Sequence, residues 1–238
     1  RPEVYNALHP PAHFEFDKVF NEFASDPDQW VAIITGAGDR AFSAGNDLKY
    51  QAAGGSRKRP DTGFAGLTNR FDLNKPVIAA VNGYAMGGGF EIALACDLIV
   101  ASENAVFALP EPRVGLAALA GGLHRLPRMI PQKQALGMIL TGRRVTADEG
   151  EQLGFVNEVT KPEELLSAAR RWADQILECS PMSIRASKQS VYQGLTEPRL
   201  ENVIRDVYPA VQSLYDSSDF IEGPLAFSEK RAPNWKAE

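Results

Sequence analysis

Two glycine-rich segments about forty residues apart constrain this chain more than any other feature. The first, Ala41–Lys49, carries Gly45, Asn46 and Asp47; the second, Asn82–Glu91, carries the triple glycine Gly87-Gly88-Gly89 and ends on Glu91. Each comes soon after a short apolar, β-rich run, Val31–Thr35 and Pro76–Val81 respectively. Glycine lets a backbone approach a ligand closely and take conformations closed to other residues. A further piece, Leu109-Pro110-Glu111, places a second carboxylate twenty residues after Glu91. Two such loops can aim two backbone N–H groups at one carbonyl oxygen with two glutamates beside it. That is the equipment for stabilising an enolate-like oxyanion while protons move.

The remaining pattern is mixed. Val31–Thr35 and Pro76–Val81 read as buried strands, Asp97–Val100 and Ala105–Ala108 as two more, and Gly88–Ala95 as a helix with Glu91 in its first turn. Gly36–Ala41 is a literal GxGxxA after a strand, but Gly45 interrupts the next ten residues and no 3.6-residue period appears, which argues against a dinucleotide site. Residues 51–70 hold four glycines and the Arg57–Arg59 charge run, read as a mobile exposed loop with solvated charges. Thr146–Glu149 is a capping-box signal closed by Gly154. Leu165, Ala169, Trp172 and Ile176 mark an amphipathic helix, and Ser180-Pro181 opens another. The reading divides the chain into a glycine-rich core, residues 1–161, and a helical region, residues 162–238.

Composition removes several classes of function. The 238 residues carry a net charge of −5, which gives no reason to expect nucleic acid or an anionic membrane surface as a partner. No apolar run approaches the roughly 20 residues of a membrane span. Cys96 and Cys179 form no CxxC pair and read as reduced core cysteines; His9, His13 and His124 have no metal-site partners in the pattern, so neither metal nor cofactor is expected. His124 reads as a packing residue.

The ordered motifs Phe42–Leu48 and Gly83–Glu91, with Glu111 spaced beyond them, resemble the enoyl-CoA hydratase/isomerase (crotonase) superfamily. The likeness runs from Arg1-Pro2-Glu3 to Gly223–Arg231, and the tail together with Phe107–Glu111 is most similar to the carnitinyl-CoA dehydratase branch. It implies an α/β fold, a spiral of ββα units with a helical C-terminal trimerisation region, normally preceded by a pair of strands that this chain is expected to have lost by trimming. It implies reversible hydration of a 2-enoyl-CoA, with coenzyme A as part of the substrate. Enoyl isomerisation, a non-catalytic acyl-CoA-binding role and RNA binding remain as alternatives.

Residue by residue, the match implies that Glu91 and Glu111 hold one water between them, one activating it and the other exchanging the α-carbon proton. The backbones of Asn46 and Gly88 become the oxyanion donors. Ala44, Asp47, Leu48, Lys49, Gly87 and Leu119 line the acyl-CoA, and Phe227 and Lys230 complete the nucleotide site of a neighbouring subunit in a cytoplasmic homotrimer or dimer of trimers. Each has a plainer alternative. Glu91 complements a helix's positive end, the triple glycine is a tight strand-to-helix turn, and Phe227 is a packed ring beside a solvated Lys230. Leu119 stands where some isomerases and dehydratases place aspartate, and it cannot transfer protons.

Overall fold

The computed structural model describes residues 1–238. Eight short strands run through it: β1 (Ala32–Thr35), β2 (Ala41–Ser43), β3 (Val77–Val81), β4 (Tyr84–Met86), β5 (Leu98–Ser102), β6 (Val106–Ala108), β7 (Val145–Thr146) and β8 (Glu158–Thr160). They form two four-stranded sheets, ordered β1-β3-β5-β8 and β2-β4-β6-β7. From β1 to β6 the chain thus deals strands alternately to the two sheets, which is the winding expected of a ββα spiral; β7 then joins the sheet of β6, and β8 returns to the other. Strands β3, β5 and β8 pair in parallel, as do β2, β4 and β6, whereas β7 runs antiparallel to β6 at the edge of its sheet.

The alternation explains the composition of the strands. All five residues of β3 are buried, and Val-Ile-Ala-Ala-Val is the continuous apolar run of a strand covered on both faces. Strand β1 lies at a sheet edge and is only half-buried, against the expectation of a buried strand. The helix Gly88–Ala95 is buried along nearly its whole length, and Phe90 joins Phe107 and Phe155 in a triangle of rings with centroids 5.1–5.2 Å apart. Such edge-to-face and tilted aromatic clusters add to the area they bury. No helix opens after β1: residues 36–40 turn directly into β2, which disposes of the dinucleotide fingerprint.

The chain divides into two compact units. The first comprises Arg1–Ser25, Ile33–Arg70 and Val77–Arg171; the second comprises Asp26–Ala32, Phe71–Pro76 and Trp172–Glu238. The second is helical: Ser180 caps Pro181–Gly194 by accepting from the Ser183 N–H and donates to Asp219 Oδ2 at 2.8 Å. Asp219 in turn accepts from the backbone of Lys236 and Ala237, and Arg231 grips Glu222 bidentately, so the last residues are tied back onto the helix Asp219–Glu229. In the first unit Thr146 caps Ala147–Leu153 and Gly154 ends it at φ 93°, in keeping with the capping signal, although the Glu149 side chain pairs with Arg143 instead. Cys96 is buried and Cys179 is exposed, so only the former is a core thiol.

Candidate active site

Three parallel neighbours, β2, β4 and β6, end on the same side of their sheet, and each is followed by a segment singled out from sequence. Asn46 follows β2, Gly87 and Gly88 follow β4, and Glu111 follows β6. Ligands bind outside the carboxyl ends of parallel strands because the chain leaves the ladder there and exposes unpaired backbone groups. The register Met86↔Ala108 sets the start of the Glu111 segment beside the triple glycine.

The approach of the two glycine loops is close enough to exclude side chains. Gly45 has φ 82°, and a β-carbon there would lie 2.7 Å from the Gly88 nitrogen. Leu8 N–H donates to Gly45 O and Asp47 N–H donates to Leu8 O, so that bridge uses the groups on either side of Asn46 and turns the Asn46 N–H to the opposite side. Gly88 is the first residue of its helix, where N–H groups have no intrahelical acceptor. Neither Asn46 N–H nor Gly88 N–H donates to a protein acceptor. The helix dipole adds a positive field at the second of them.

The two glutamates converge on the same place from different elements. Glu91 is 3% exposed, and its Oε1 accepts from the Gly122 N–H at 2.9 Å. Burial pushes its carboxyl up to about 7; the backbone of Gly122 opposes this, the nearby Glu111 charge adds to it, and Ala120 and Arg59 oppose it more weakly. Glu111 begins a short 3-10 turn, Glu111–Val114, and its Oε1 comes within 2.8 Å of where a Gly87 β-carbon would be. Its Oε2 is buried and has no protein partner, and burial raises this carboxyl as well. A pair of like charges that repel, one buried and the other half-buried, holds on to a proton near neutrality. The pair can therefore offer one carboxylate as base and one carboxylic acid as donor in the same cavity.

The other expected residues differ in their surroundings. Asp47 caps the helix Leu48–Ala52 through the Tyr50 N–H and pairs with Arg1 at 2.8 Å; the Tyr50 bond and then Arg1 hold its carboxyl below the usual range against a contrary effect of burial. Its carboxylate is thus engaged within the protein. Ala44 donates its N–H to Tyr5 O, while Leu48 and Lys49 face solvent. Leu119 is 78% exposed, whereas its neighbour Ala118 is buried. In the second unit Phe227 is 87% exposed, and Lys230 lies just past the helix end in the left-handed region rather than on the helix.

Several expectations need correction. Residues 63–68 are buried, not part of an exposed loop, because Phe64, Leu67 and Thr68 pack into the core. Arg59 is not simply solvated: its guanidinium lies 5.1 Å over the Phe64 ring. His124 is exposed, and His13, which the sequence pattern leaves without a role, is fully buried. Sequence reasoning misses Gly122 and Phe64 altogether. Two glycines at 121–122 opening a helix signal the first, and a lone aromatic among Gly63, Ala65 and Gly66 signals the second.

The description Enoyl-CoA hydratase/isomerase matches the chain over residues 1–238. The chain belongs to that family. It is 46% identical over 245 residues to the carnitinyl-CoA dehydratase of Proteus mirabilis (strain HI4320) and 47% identical to that of Escherichia coli (strain K12), covering 99% of this chain and 92% of each relative. Among solved structures it superposes on an enoyl-CoA hydratase from Mycobacterium tuberculosis H37Rv with a TM-score of 0.93 at 35% identity, covering all of this chain and 93% of the other. A carnitinyl-CoA hydratase from Mycobacterium avium gives 0.79 at 42% identity with the same coverage. The crotonase-type α/β fold and the acyl-CoA theme of this family member are thereby fixed. No cluster of three or more His, Cys, Asp or Glu side chains stands close enough to hold a metal, and no helix is long and apolar enough to cross a membrane.

Proposed function

We propose that this crotonase-family enzyme is a hydro-lyase of CoA thioesters that interconverts a 2-enoyl-CoA and its 3-hydroxyacyl-CoA, with carnitinyl-CoA as the hydroxy form. The observation that carries the reaction class is the convergence of the buried Glu91 with Glu111, whose Oε2 is buried, both held above ordinary carboxylate values beside two unpartnered backbone N–H groups. In hydration the thioester carbonyl accepts from the Asn46 and Gly88 N–H groups. One ionised glutamate takes a proton from water as its oxygen bonds to the β-carbon. The C=C electrons move into the carbonyl to give an enolate, and the protonated glutamate delivers its proton to the α-carbon. One proton enters the pair and one leaves, so the site is reset by exchange between the two carboxyls. Donors aimed at the developing oxyanion supply the larger share of such rate enhancement, and the acid and base about 10²–10⁴-fold.

The acyl group is assigned from the relatives' names, carnitinyl-CoA dehydratase at 46–47% identity. A second reading, an unsubstituted enoyl chain, is favoured by the closer superposition on an enoyl-CoA hydratase. Phe227 and Lys230 at a nucleotide site shared across a homotrimer or dimer of trimers, Lys49 approaching the same nucleotide, and a cytoplasmic location belong to the same proposal. The experiment is a turnover panel of carnitinyl-, crotonyl- and longer 2-enoyl-CoA thioesters. The first reading requires kcat/KM to be greatest for carnitinyl-CoA or its dehydrated partner; a preference for plain enoyl chains selects the second. Turnover of none of them sinks both.

A further inference from the structure

The turn Gly63–Thr68 is held in an uncommon conformation. Gly63, Ala65 and Gly66 all have positive φ, and Ala65 takes φ 53°, ψ 29° although it has a side chain. A non-glycine residue stays in the left-handed region only where its surroundings over-determine it. Here the surroundings are specific. Ala65 N–H donates to His13 Nδ1 at 3.1 Å, and Phe64 N–H donates to Thr68 Oγ1 at 2.9 Å. A β-carbon on Gly66 would lie 2.4 Å from the Asp17 nitrogen, so the turn sits directly on the backbone of the helix Pro10–Ser25 that carries His13.

What the strained turn delivers is the Phe64 ring. Its centroid lies 4.4 Å from that of His13, and its Cζ comes within 2.6 Å of where a β-carbon on Gly88 would be. The ring therefore rests on the residue whose N–H is unpartnered at the helix start, with Arg59 over the ring. A hydrogen-bond donor shielded from water by an apolar ring acts in a lower dielectric and with a fixed direction. Only a neutral imidazole has a lone pair at Nδ1. The His13 ring meets that requirement: burial, then the Arg59 charge, then His9 bring it down to about 4.

We infer that His13 is a positioning residue for oxyanion stabilisation: its Nδ1 holds Ala65 in the left-handed turn that seats Phe64 against Gly88. The inference rests on the proposed role of the Gly88 N–H. Its signature is a loss of carbonyl polarisation without a matching loss of binding.

The test uses a chromophoric cinnamoyl-CoA thioester, whose absorbance moves to the red when its carbonyl is polarised. The unmodified protein is measured first; a bound ligand with no red shift overturns the oxyanion reading itself, and this inference with it. Given a shift, His13→Asn keeps an acceptor near the Nδ1 position and should retain most of it. The isosteric His13→Leu, which has no acceptor, should lose most of it and lower kcat roughly tenfold, less than the 10²–10³-fold of a deleted donor, with KM nearly unchanged. Phe64→Leu keeps His13 and should lose the shift likewise, which maintains the test if His13→Leu does not fold. Equal shifts in the Asn and Leu variants, or an undiminished shift in Phe64→Leu, overturn the inference.

Discussion

Replacing Glu91 with glutamine should make the protein more stable and far less active, with a stability gain that depends on pH in a defined way. The Glu91 carboxyl lies at about 7 in the folded chain against 4.5 when free. At about 1.36 kcal/mol per pKa decade, that gap is worth about 3 kcal/mol. The sign comes from proton linkage. Because the folded value is raised, the folded state binds the proton more tightly than the unfolded state, so the contribution is complete below about 4.5 and is lost as pH rises through about 7. Above that the wild-type protein must hold a buried carboxylate beside Glu111. The amide of Glu91→Gln still accepts from Gly122 N–H, as Glu91 Oε1 does at 2.9 Å, and carries no charge at any pH. Urea unfolding of both proteins at matched ionic strength from pH 4.5 to 8.5 reads the difference. It should be near zero at the acid end and rise to about 3 kcal/mol at the alkaline end, while kcat falls by about 10²–10⁴. A stability difference that does not change with pH would refute the argument, because a carboxyl that titrates normally cannot be the buried, coupled group described.

Glu111→Gln should lower turnover by about 10²–10⁴ and also move the Glu91 titration downward, since the Glu111 charge contributes to its raised value; the pH profile of kcat/KM or carboxyl infrared bands of the variant would show it. Gly122→Ala brings a β-carbon to 3.1 Å from Glu91 Oε1, so kcat should fall roughly tenfold with the fold retained by circular dichroism. Lys230→Gly should stabilise the chain by about 1 kcal/mol, because Lys230 occupies a left-handed cap at φ 55°. The same change should raise KM for acyl-CoA more than it lowers kcat if the side chain meets the nucleotide; steady-state kinetics and thermal melts on one preparation separate the effects.

How much of the fold and the site is legible in the sequence depends on the range over which each signal acts. Strands β3, β5 and β6 and the helix Gly88–Ala95 are readable because their apolar runs are continuous and glycines punctuate their ends. The convergence of Asn46, Gly88, Glu91 and Glu111 is readable only through the resemblance that their ordered motifs carry; strands β2 and β4, three residues each, leave no periodic signal, and the structure alone shows three parallel strands ending together before these segments. Strand β1 is misread as buried because periodicity reports apolarity and not position at a sheet edge. The turn at 63–68 is misread because glycines and charges in a window suggest exposure. Its burial is decided by His13, some fifty residues earlier, through a hydrogen bond that no local pattern announces. Arg59 reads as solvated for the same reason: the partner ring is near in sequence, but only a folded turn brings it under the guanidinium.

The central claim is that Glu91 and Glu111 act together on one water molecule at the β-carbon of a CoA thioester. Incubation of the enzyme with crotonobetainyl- and crotonyl-CoA in deuterated, ¹⁸O-enriched water, with mass analysis of the products, tests it most directly. The account predicts 3-hydroxyacyl-CoA carrying one heavy oxygen at the β-carbon and one deuterium at the α-carbon, formed by the wild type and by neither Glu91→Gln nor Glu111→Gln at a comparable rate. Deuterium entering the acyl chain with a shifted double bond and no heavy oxygen would contradict it, and would make the chain an isomerase instead.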